Sequence, residues 1–139
     1  MNVKEAASLP MRQVVAGYLK EQMAQDDKVI VINADLGGAC GTAGLAKDFP
    51  DRTLNVGIAE ANMVGVAAGL ASYGYKPFIF TFAPFATRRV ADQLAISVSY
   101  AGLKVVVVGT DPGVSAQMNG GTHMGVEDTA IMRAIPGFL

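Results

Sequence analysis

Three short hydrophobic runs constrain the fold of this chain more than any other feature. They are residues 28–33 (KVIVIN), 77–82 (PFIFTF) and 104–109 (KVVVVG). None of them shows the alternation of polar and apolar residues that marks a half-exposed strand, and all are rich in β-branched or aromatic residues. Such runs are typical of strands covered on both faces, as in a parallel sheet. Each run therefore predicts a fully buried β-strand.

Helical patterns separate these strands along the chain. We expect a further short strand at 53–56, helices at 10–25, 60–72, 85–100 and 126–134, a short helix before Pro50, and a loop without regular structure at 110–122. Strands that alternate with helices favour an α/β fold, a parallel sheet with helices on both faces. No repeat or linker interrupts the pattern, so we expect residues 1–139 to form a single domain.

Composition excludes several classes of function. The formal net charge is −1, and no run of Lys or Arg is long enough to suit a nucleic-acid backbone. The longest uncharged run is too short for a membrane span, and the N-terminus lacks the apolar core of a signal peptide. The single cysteine, Cys40, rules out an internal disulfide, and we interpret it as a structural residue. These features predict a cytoplasmic protein.

One helix carries a lone acid at its start. Glu60 precedes an uncharged stretch, residues 61–75, in which Gly65 and Gly69 stand on one face. Glycine destabilises a helix by roughly 1 kcal/mol relative to alanine, so this pair suggests that another backbone approaches closely. Glu60 is either a first-turn acid stabilised by the helix dipole or a buried functional carboxylate.

Chemistry-bearing residues follow each predicted strand. They comprise Asp35 with nearby glycines, Glu60, the pair Phe82 and Phe85, and the segment 111–123 that ends in the only histidine. Because ligands bind at the carboxyl ends of parallel strands, these residues are expected to converge on one site. This placement favours the functional interpretation of Glu60.

Each of these features also has a simpler interpretation. The glycine cluster 37–41 (GGACG) is neither GxGxxG nor a Walker motif, so a flexible turn is favoured over a phosphate cradle. Phe82 and Phe85 are either core residues or the wall of a slot for a flat ring. His123 is either incidental or a group for substrate contact and proton transfer.

Four segments together resemble the pyrimidine-binding domain of transketolase-type thiamine diphosphate enzymes. They are NADL, GIAEANMVGVAAGLA, TFAPFATRR and NGGTHMGVEDTAIMRAIPG, and the resemblance runs from Arg12 to the end of the chain. In particular, the chain is similar to the C-terminal subunit of transketolases whose gene is split in two. The GIAE segment also occurs in deoxyxylulose-phosphate synthases, a sister family.

The resemblance implies roles for the cofactor residues. Glu60 matches the catalytic acid, which hydrogen-bonds the aminopyrimidine ring and favours the imino tautomer that activates the thiazolium carbon. That role requires a carboxyl group that is protonated, or shares its proton, in a dry pocket. Phe82 and Phe85 match the aromatic positions that pack on the pyrimidine, and Asp35 matches an acid beside the cofactor. Arg88, where transketolases often carry tyrosine, is assigned to cofactor binding.

The resemblance also implies substrate contacts. His123 matches the histidine that lines the substrate channel near the reactive carbon and counts as catalytic. Arg12 matches an arginine that contacts the phosphate of sugar-phosphate substrates. Asn119 stands where the family has an acid that contacts sugar hydroxyls, and Thr110-Asp111 replaces a Thr-His pair. These departures allow a donor other than the usual pentose phosphates.

The family's diphosphate site is missing from this sequence. No GDG motif occurs in the 139 residues, and in the family that motif holds the diphosphate and Mg²⁺ on another domain. The resemblance therefore implies two-carbon ketol transfer between sugar phosphates, with thiamine diphosphate and Mg²⁺ completed by a second copy or by an N-terminal transketolase subunit. The alternatives are a deoxyxylulose-phosphate synthase-like or other thiamine diphosphate subunit, a plain nucleotide-binding domain, and a non-catalytic fragment.

Overall fold

The computed structural model describes residues 8–138. The outer limits of the predicted domain and most of the N-terminal segment lie outside that range. The regular elements, in chain order, are α1 (Met11–Gln25), β1 (Val29–Asn33), α2 (Leu45–Asp48), β2 (Thr53–Asn55), α3 (Glu60–Ser72), β3 (Lys76–Phe82), α4 (Ala83–Ala86), α5 (Ala91–Gln93), β4 (Val106–Thr110) and α6 (Asp128–Ala134). A π-helical segment, Leu94–Tyr100, continues α5.

The four strands form one parallel sheet in the order β2-β1-β3-β4. Helices cover both faces, and each face has its own hydrophobic core. On one side, Ile32 and Ile79 pack with Met63 of α3 and Leu94 of the π-helical segment. On the other, Val31 and Phe80 pack with residues of α1 and α2. The predicted fold class is therefore confirmed.

The hydrophobic runs predicted the strands to within two residues at either end, but the burial predicted for β4 was wrong. β1 is buried throughout, whereas β4 consists of exposed and half-buried residues, and Val106 is 46 % exposed. The reason is position, because β4 lies at the edge of the sheet and the described residues cover it only in part.

The long helix predicted at 85–100 is broken in the structure. α4 ends at Ala86, and both Thr87 (φ −119°, ψ −85°) and Val90 (φ −126°, ψ 16°) leave the helical region before α5 begins. The hydroxyl of Thr87 lies 2.8 Å from the carbonyl oxygen of Ala83 and 3.0 Å from Asp128 Oδ1, and the two acceptors share its one proton. A contact with a residue far along the chain therefore helps to fix this turn, which carries Arg88 and Arg89.

The loop predicted at 110–122 contains two 3₁₀ turns, Gln117–Asn119 and Gly121–His123. An antiparallel bridge between Gly113 and Gly125 closes its base, with N–H···O distances of 2.8 and 3.1 Å. The expected helix at 126–134 begins two residues later, at Asp128.

Gly109 allows α4 to lie directly against β4, and its replacement gives the first prediction. A Cβ atom at this position would lie 2.9 Å from Ala83 Cα. Overpacking of this kind costs about 1–3 kcal/mol. We expect Gly109→Ala to lower the free energy of unfolding by that amount, seen as a lower midpoint in denaturant titration. Gly44→Ala is the control, since Gly44 is helical with no atom within 4 Å of its Cβ position. Equal midpoints for both variants would contradict the packing argument.

Candidate active site

The carboxyl edge of the sheet brings together some of the residues expected there. Phe82 ends β3, Phe85 lies in α4, and His123 ends a 3₁₀ turn in the loop after β4. Ring centroids are separated by 6.1 Å for Phe82–Phe85, 5.7 Å for Phe82–His123 and 5.0 Å for Phe85–His123. Both histidine contacts are edge-to-face, a favourable geometry for aromatic pairs. We call these three side chains the ring cluster.

One side chain, which contacts both groups, links Glu60 to the ring cluster. Glu60 begins α3 and is 3 % exposed, so the buried-carboxylate interpretation holds for its position. Arg89 Nη1 donates to Glu60 Oε1 at 2.7 Å, and the Arg89 guanidinium lies 3.7 Å from the centre of the Phe85 ring. The pocket around Glu60 is therefore not purely apolar in this chain, because a cation occupies one carboxylate oxygen.

Arg89 is a residue that the sequence argument missed. Its spacing, four residues after Phe85, is the one available signal, since residues at i and i+4 lie on one helix face. That signal is weak here because the backbone between the two residues leaves the helix at Thr87. The contact with Glu60, 29 residues earlier, depends on how α3 packs against the turn after α4.

Arg88 points towards the loop that carries His123. Its Nη1 donates to Glu127 Oε1 at 2.7 Å and its Nη2 to the carbonyl of Thr122 at 3.1 Å. Hydrogen bonds from the backbone N–H of Glu127 itself and then from Arg88 lower the pKa of Glu127 below its usual 4.5. The ion pair is therefore present at neutral pH and is lost only as the pH falls through that lowered value.

Asp35 lies in the turn after β1 and adopts a left-handed backbone conformation (φ 59°). Asn55, at the end of β2, accepts from the backbone N–H groups of Asp35 and Gly57, each at 3.0 Å. Its Nδ2 donates to Asp35 Oδ1 at 3.1 Å. Asn55 thus joins the ends of two strands, and it is a second residue that the sequence argument did not single out.

Two of the three proposed substrate residues, Arg12 and Asn119, are exposed. Arg12 lies in the first turn of α1, where its backbone and Cβ pack close to Gly41, whose φ is +80°. Asn119 ends the 3₁₀ turn Gln117–Asn119. Neither residue belongs to the ring cluster, so their assignment to substrate stays a prediction.

The glycine cluster folds onto itself. The N–H groups of Cys40, Gly41, Thr42 and Ala43 donate to carbonyls of Leu36, Gly38 and Gly37 within the same loop. A phosphate cradle binds through free N–H groups, so these four N–H groups are not available for the nucleotide-binding alternative. Cys40 is fully buried, with Sγ 3.4 Å from Thr110 Oγ1, and burial raises the pKa of its thiol. A buried thiol of this kind is unreactive, in keeping with a structural role.

A separate groove of about 850 Å³ runs along the outer edge of β4. Its lining includes Leu103, Val107, Met132 and Phe138, and none of the ring cluster or Glu60 belongs to it. We place the candidate active site at the ring cluster instead, because the buried carboxylate of Glu60 and the three rings lie there and none of them lines this groove.

A comparison with family models decides the family. Residues 7–139 match the model described as "Transketolase, pyrimidine binding domain". The chain belongs to this transketolase family. The resemblance drawn from the four sequence segments is thereby confirmed.

Relatives of this transketolase domain include subunits of divided enzymes. The chain is 50 % identical over 127 residues to a 6-deoxy-6-sulfo-D-fructose transketolase subunit of a Clostridium species, covering 91 % of this chain and 39 % of the relative. It is 40 % identical over 129 residues to a putative transketolase C-terminal section of Methanocaldococcus jannaschii, covering 93 % and 41 %. The chain thus spans about two fifths of the length of these relatives.

Other comparisons are consistent with this assignment. The 1-deoxy-D-xylulose-5-phosphate synthase of Dehalococcoides mccartyi is 35 % identical over 137 residues, covering 99 % of this chain and 21 % of the synthase, so the sister family is more distant. A solved structure titled as a split gene transketolase, inactive beta4 tetramer, superposes with a TM-score of 0.76 at 38 % identity, covering 90 % of this chain and 40 % of that one.

Residues 8–138 contain neither a metal-binding cluster nor a membrane-spanning helix. Within that range, no three His, Cys, Asp or Glu side chains come together as a metal site. In the same part of the chain, no helix has the length and apolar character needed to cross a membrane.

Proposed function

We propose that this chain is the pyrimidine-binding half of a thiamine diphosphate-dependent transketolase, with residues 1–139 forming one such domain. The observation that carries the proposal is a buried carboxylate, Glu60, beside the ring cluster at the carboxyl edge of a parallel sheet. The proposed reaction is transfer of a two-carbon ketol unit between sugars that carry an anionic group. Two-carbon transfer by the chain reconstituted with a diphosphate-domain subunit tests this function.

The residues present suit an aminopyrimidine ring. Such a ring is flat, apolar on its faces and polar at its edge, so it needs an aromatic wall and a hydrogen-bonding acid. Phe82 and Phe85 supply the wall, and Glu60 supplies the acid within reach of the same space, since Arg89 contacts both Phe85 and Glu60. When bound, thiamine diphosphate supplies the carbon that accepts the ketol unit.

Glu60 has the central role in this proposal. Its carboxyl group holds a proton at the ring nitrogen of the pyrimidine, which requires one of its oxygens to be available. Arg89 donates to Oε1 in the free chain, so binding the pyrimidine either displaces this guanidinium or leaves it on one oxygen while the other meets the ring. Burial excludes water and strengthens whichever hydrogen bond forms.

The remaining assignments concern substrate and loops. His123 holds or moves a proton on the substrate from its place against Phe82 and Phe85. Asp35 lies beside the cofactor, where Asn55 holds its backbone and side chain. Arg12 is assigned to the anionic end of the substrate. Asn119 is assigned to its hydroxyl groups.

The donor sugar belongs to the anionic ketoses. The Clostridium relative is named for 6-deoxy-6-sulfo-D-fructose, and a sulfonate, like a phosphate, is a tetrahedral anion that a guanidinium can bind. Asn119 replaces an acid of sugar-phosphate transketolases, which favours a donor that differs from the usual pentose phosphates. We therefore propose that the substrate is a ketose phosphate or a ketose sulfonate.

The cofactor's diphosphate and Mg²⁺ are assigned to another chain. The 139 residues contain no GDG motif, and residues 8–138 contain no acidic metal cluster. The relative titled as a transketolase C-terminal section supports a complementary N-terminal subunit. Exposed apolar side chains near the candidate site, Ile58 (78 %) and Val126 (80 %), offer such a subunit a surface to cover. We place the assembly in the cytoplasm.

We also propose that the chain self-associates through α3. Gly65 and Gly69 are exposed, with no atom within 4 Å of their Cβ positions, so the close backbone contact that the sequence suggests is not made inside the described part of the chain. We expect light scattering to give a dimer or larger at micromolar concentration, and Gly65→Leu to weaken it. Ala24→Leu, exposed on α1, is the matched control. A monomeric wild-type chain would refute the proposal.

A further inference from the structure

Arg88 joins the two ends of the segment that carries His123. This segment, residues 122–127, is called the histidine segment. One arm of the guanidinium meets the carbonyl of Thr122 at its start, and the other meets the carboxylate of Glu127 at its end. The second oxygen of Glu127 accepts from the backbone N–H of Val126 at 3.1 Å. The forked geometry of arginine is suited to holding two acceptors at once.

His123 depends on this segment for its position. Thr122 Oγ1 lies 2.9 Å from His123 Nδ1, and the ring has edge-to-face contacts with Phe82 and Phe85. The segment also makes backbone hydrogen bonds at His123, Met124 and Glu127, but these join it only to its immediate chain neighbours. The bridge between Gly113 and Gly125 closes the loop, and Asp128 accepts from Thr87 just beyond the segment. Both Thr87 and Arg88 belong to the turn after α4, so one turn holds the segment against the phenylalanines of β3 and α4.

We propose that Arg88 is a positioning residue, which fixes the histidine segment and thereby sets the His123 ring against Phe82 and Phe85. This role acts through His123, and we propose it in place of the cofactor contact that the resemblance assigns to Arg88, because Glu127 and Thr122 take up both arms of the guanidinium. The expected effect on catalysis rests on the proposed function, whereas the positioning of His123 concerns only this chain. Displacement of a reacting group by about 1 Å can cost up to about 100-fold in rate, so the fixation of this ring bears directly on turnover.

The experiment uses the fact that the chain has one histidine. In untagged protein, we expect the neighbouring phenylalanine rings to shift the ring proton signals of His123, and a single histidine leaves no ambiguity in their assignment by NMR. We expect Arg88→Ala to move these signals most of the way to those of a free histidine, while the remaining amide spectrum stays folded. Arg88→Lys keeps the positive charge but lacks the two-armed guanidinium, and it should give an intermediate shift. Arg133→Ala, which removes an exposed guanidinium from α6, should leave the signals in place.

The outcomes separate this inference from the proposed function. Unchanged His123 signals in Arg88→Ala would overturn the inference, even if the reconstituted enzyme is active. Displaced signals would uphold the positioning role, even if no assembly transfers a ketol unit. In an active assembly, we expect Arg88→Ala to lower kcat about tenfold or more at equal cofactor occupancy, with partial rescue by Arg88→Lys. An unaltered kcat would overturn the catalytic part of the inference.

Discussion

Glu60→Gln is expected to abolish proton exchange at the thiazolium carbon of thiamine diphosphate in the assembled enzyme. Glutamine preserves the shape of the side chain and a hydrogen bond, but it has no acidic proton to share with the pyrimidine. General acid–base groups typically contribute about 10²–10⁴-fold, so we expect deuterium exchange to slow by at least about 100-fold. The loss should fall on the rate rather than on substrate affinity, because the acid acts on the cofactor.

The competing explanation for Glu60 gives a much smaller effect. An acid in the first turn of a helix contributes about 0.3–1 kcal/mol through the helix dipole, so its removal would slightly lower stability and leave chemistry unchanged. The matched control is Glu21→Gln, which alters an exposed acid of α1. Equal exchange rates for wild type and Glu60→Gln, at equal cofactor occupancy, would contradict the assigned role.

The ion pair of Glu60 also determines how stable the Glu60→Gln variant should be. Glu60 is paired with Arg89, and loss of the carboxylate frees a guanidinium that is itself 44 % exposed. Because that guanidinium can turn to water, Glu60→Gln should leave the fold intact, in contrast to variants that strand a buried charge. Thermal unfolding of the variant should therefore stay close to that of wild type, and the exchange measurement then reports on chemistry alone.

The sequence was sufficient where local pattern determines structure. Uninterrupted β-branched and aromatic runs predicted β1 and β3, since a strand covered on both faces is built mainly from apolar residues. Burial of β4 could not be deduced in the same way, because it depends on which strands lie beside it. The helix broken at Thr87 was missed because a helical pattern continues through the break, while Asp128, 41 residues away, supplies the contact that stabilises the turn.

The candidate site shows the same division. Its location at the carboxyl edge follows from parallel strand order, and the ring cluster was expected from Phe82, Phe85 and His123 individually. The ion pair of Glu60 with Arg89 was not expected, nor were the two hydrogen bonds from Arg88 to the histidine segment. Two adjacent arginines with different partners cannot be told apart from sequence, since the turn that separates their directions is set by tertiary contacts.

The second prediction is that ketol transfer activity depends on a partner subunit. We expect the purified 139-residue chain, supplied with thiamine diphosphate and Mg²⁺, to give negligible ketol transfer. A free chain can offer Glu60 and the ring cluster to the pyrimidine, but within residues 8–138 nothing gathers as a metal site. Addition of a subunit that carries a GDG-bearing diphosphate domain should restore turnover.

Three controls make this result interpretable. The partner alone should be inactive, and the mixture with Glu60→Gln should be inactive as well, so that restored activity is traced to this chain's acid. Turnover should rise with partner concentration and reach a plateau, as binding by mass action requires. Donors that end in a phosphate and in a sulfonate are compared in parallel, which tests the proposed substrate class at the same time. Robust turnover by the chain alone would show that residues present here bind the diphosphate, and the proposed division of the cofactor between two chains would then be wrong.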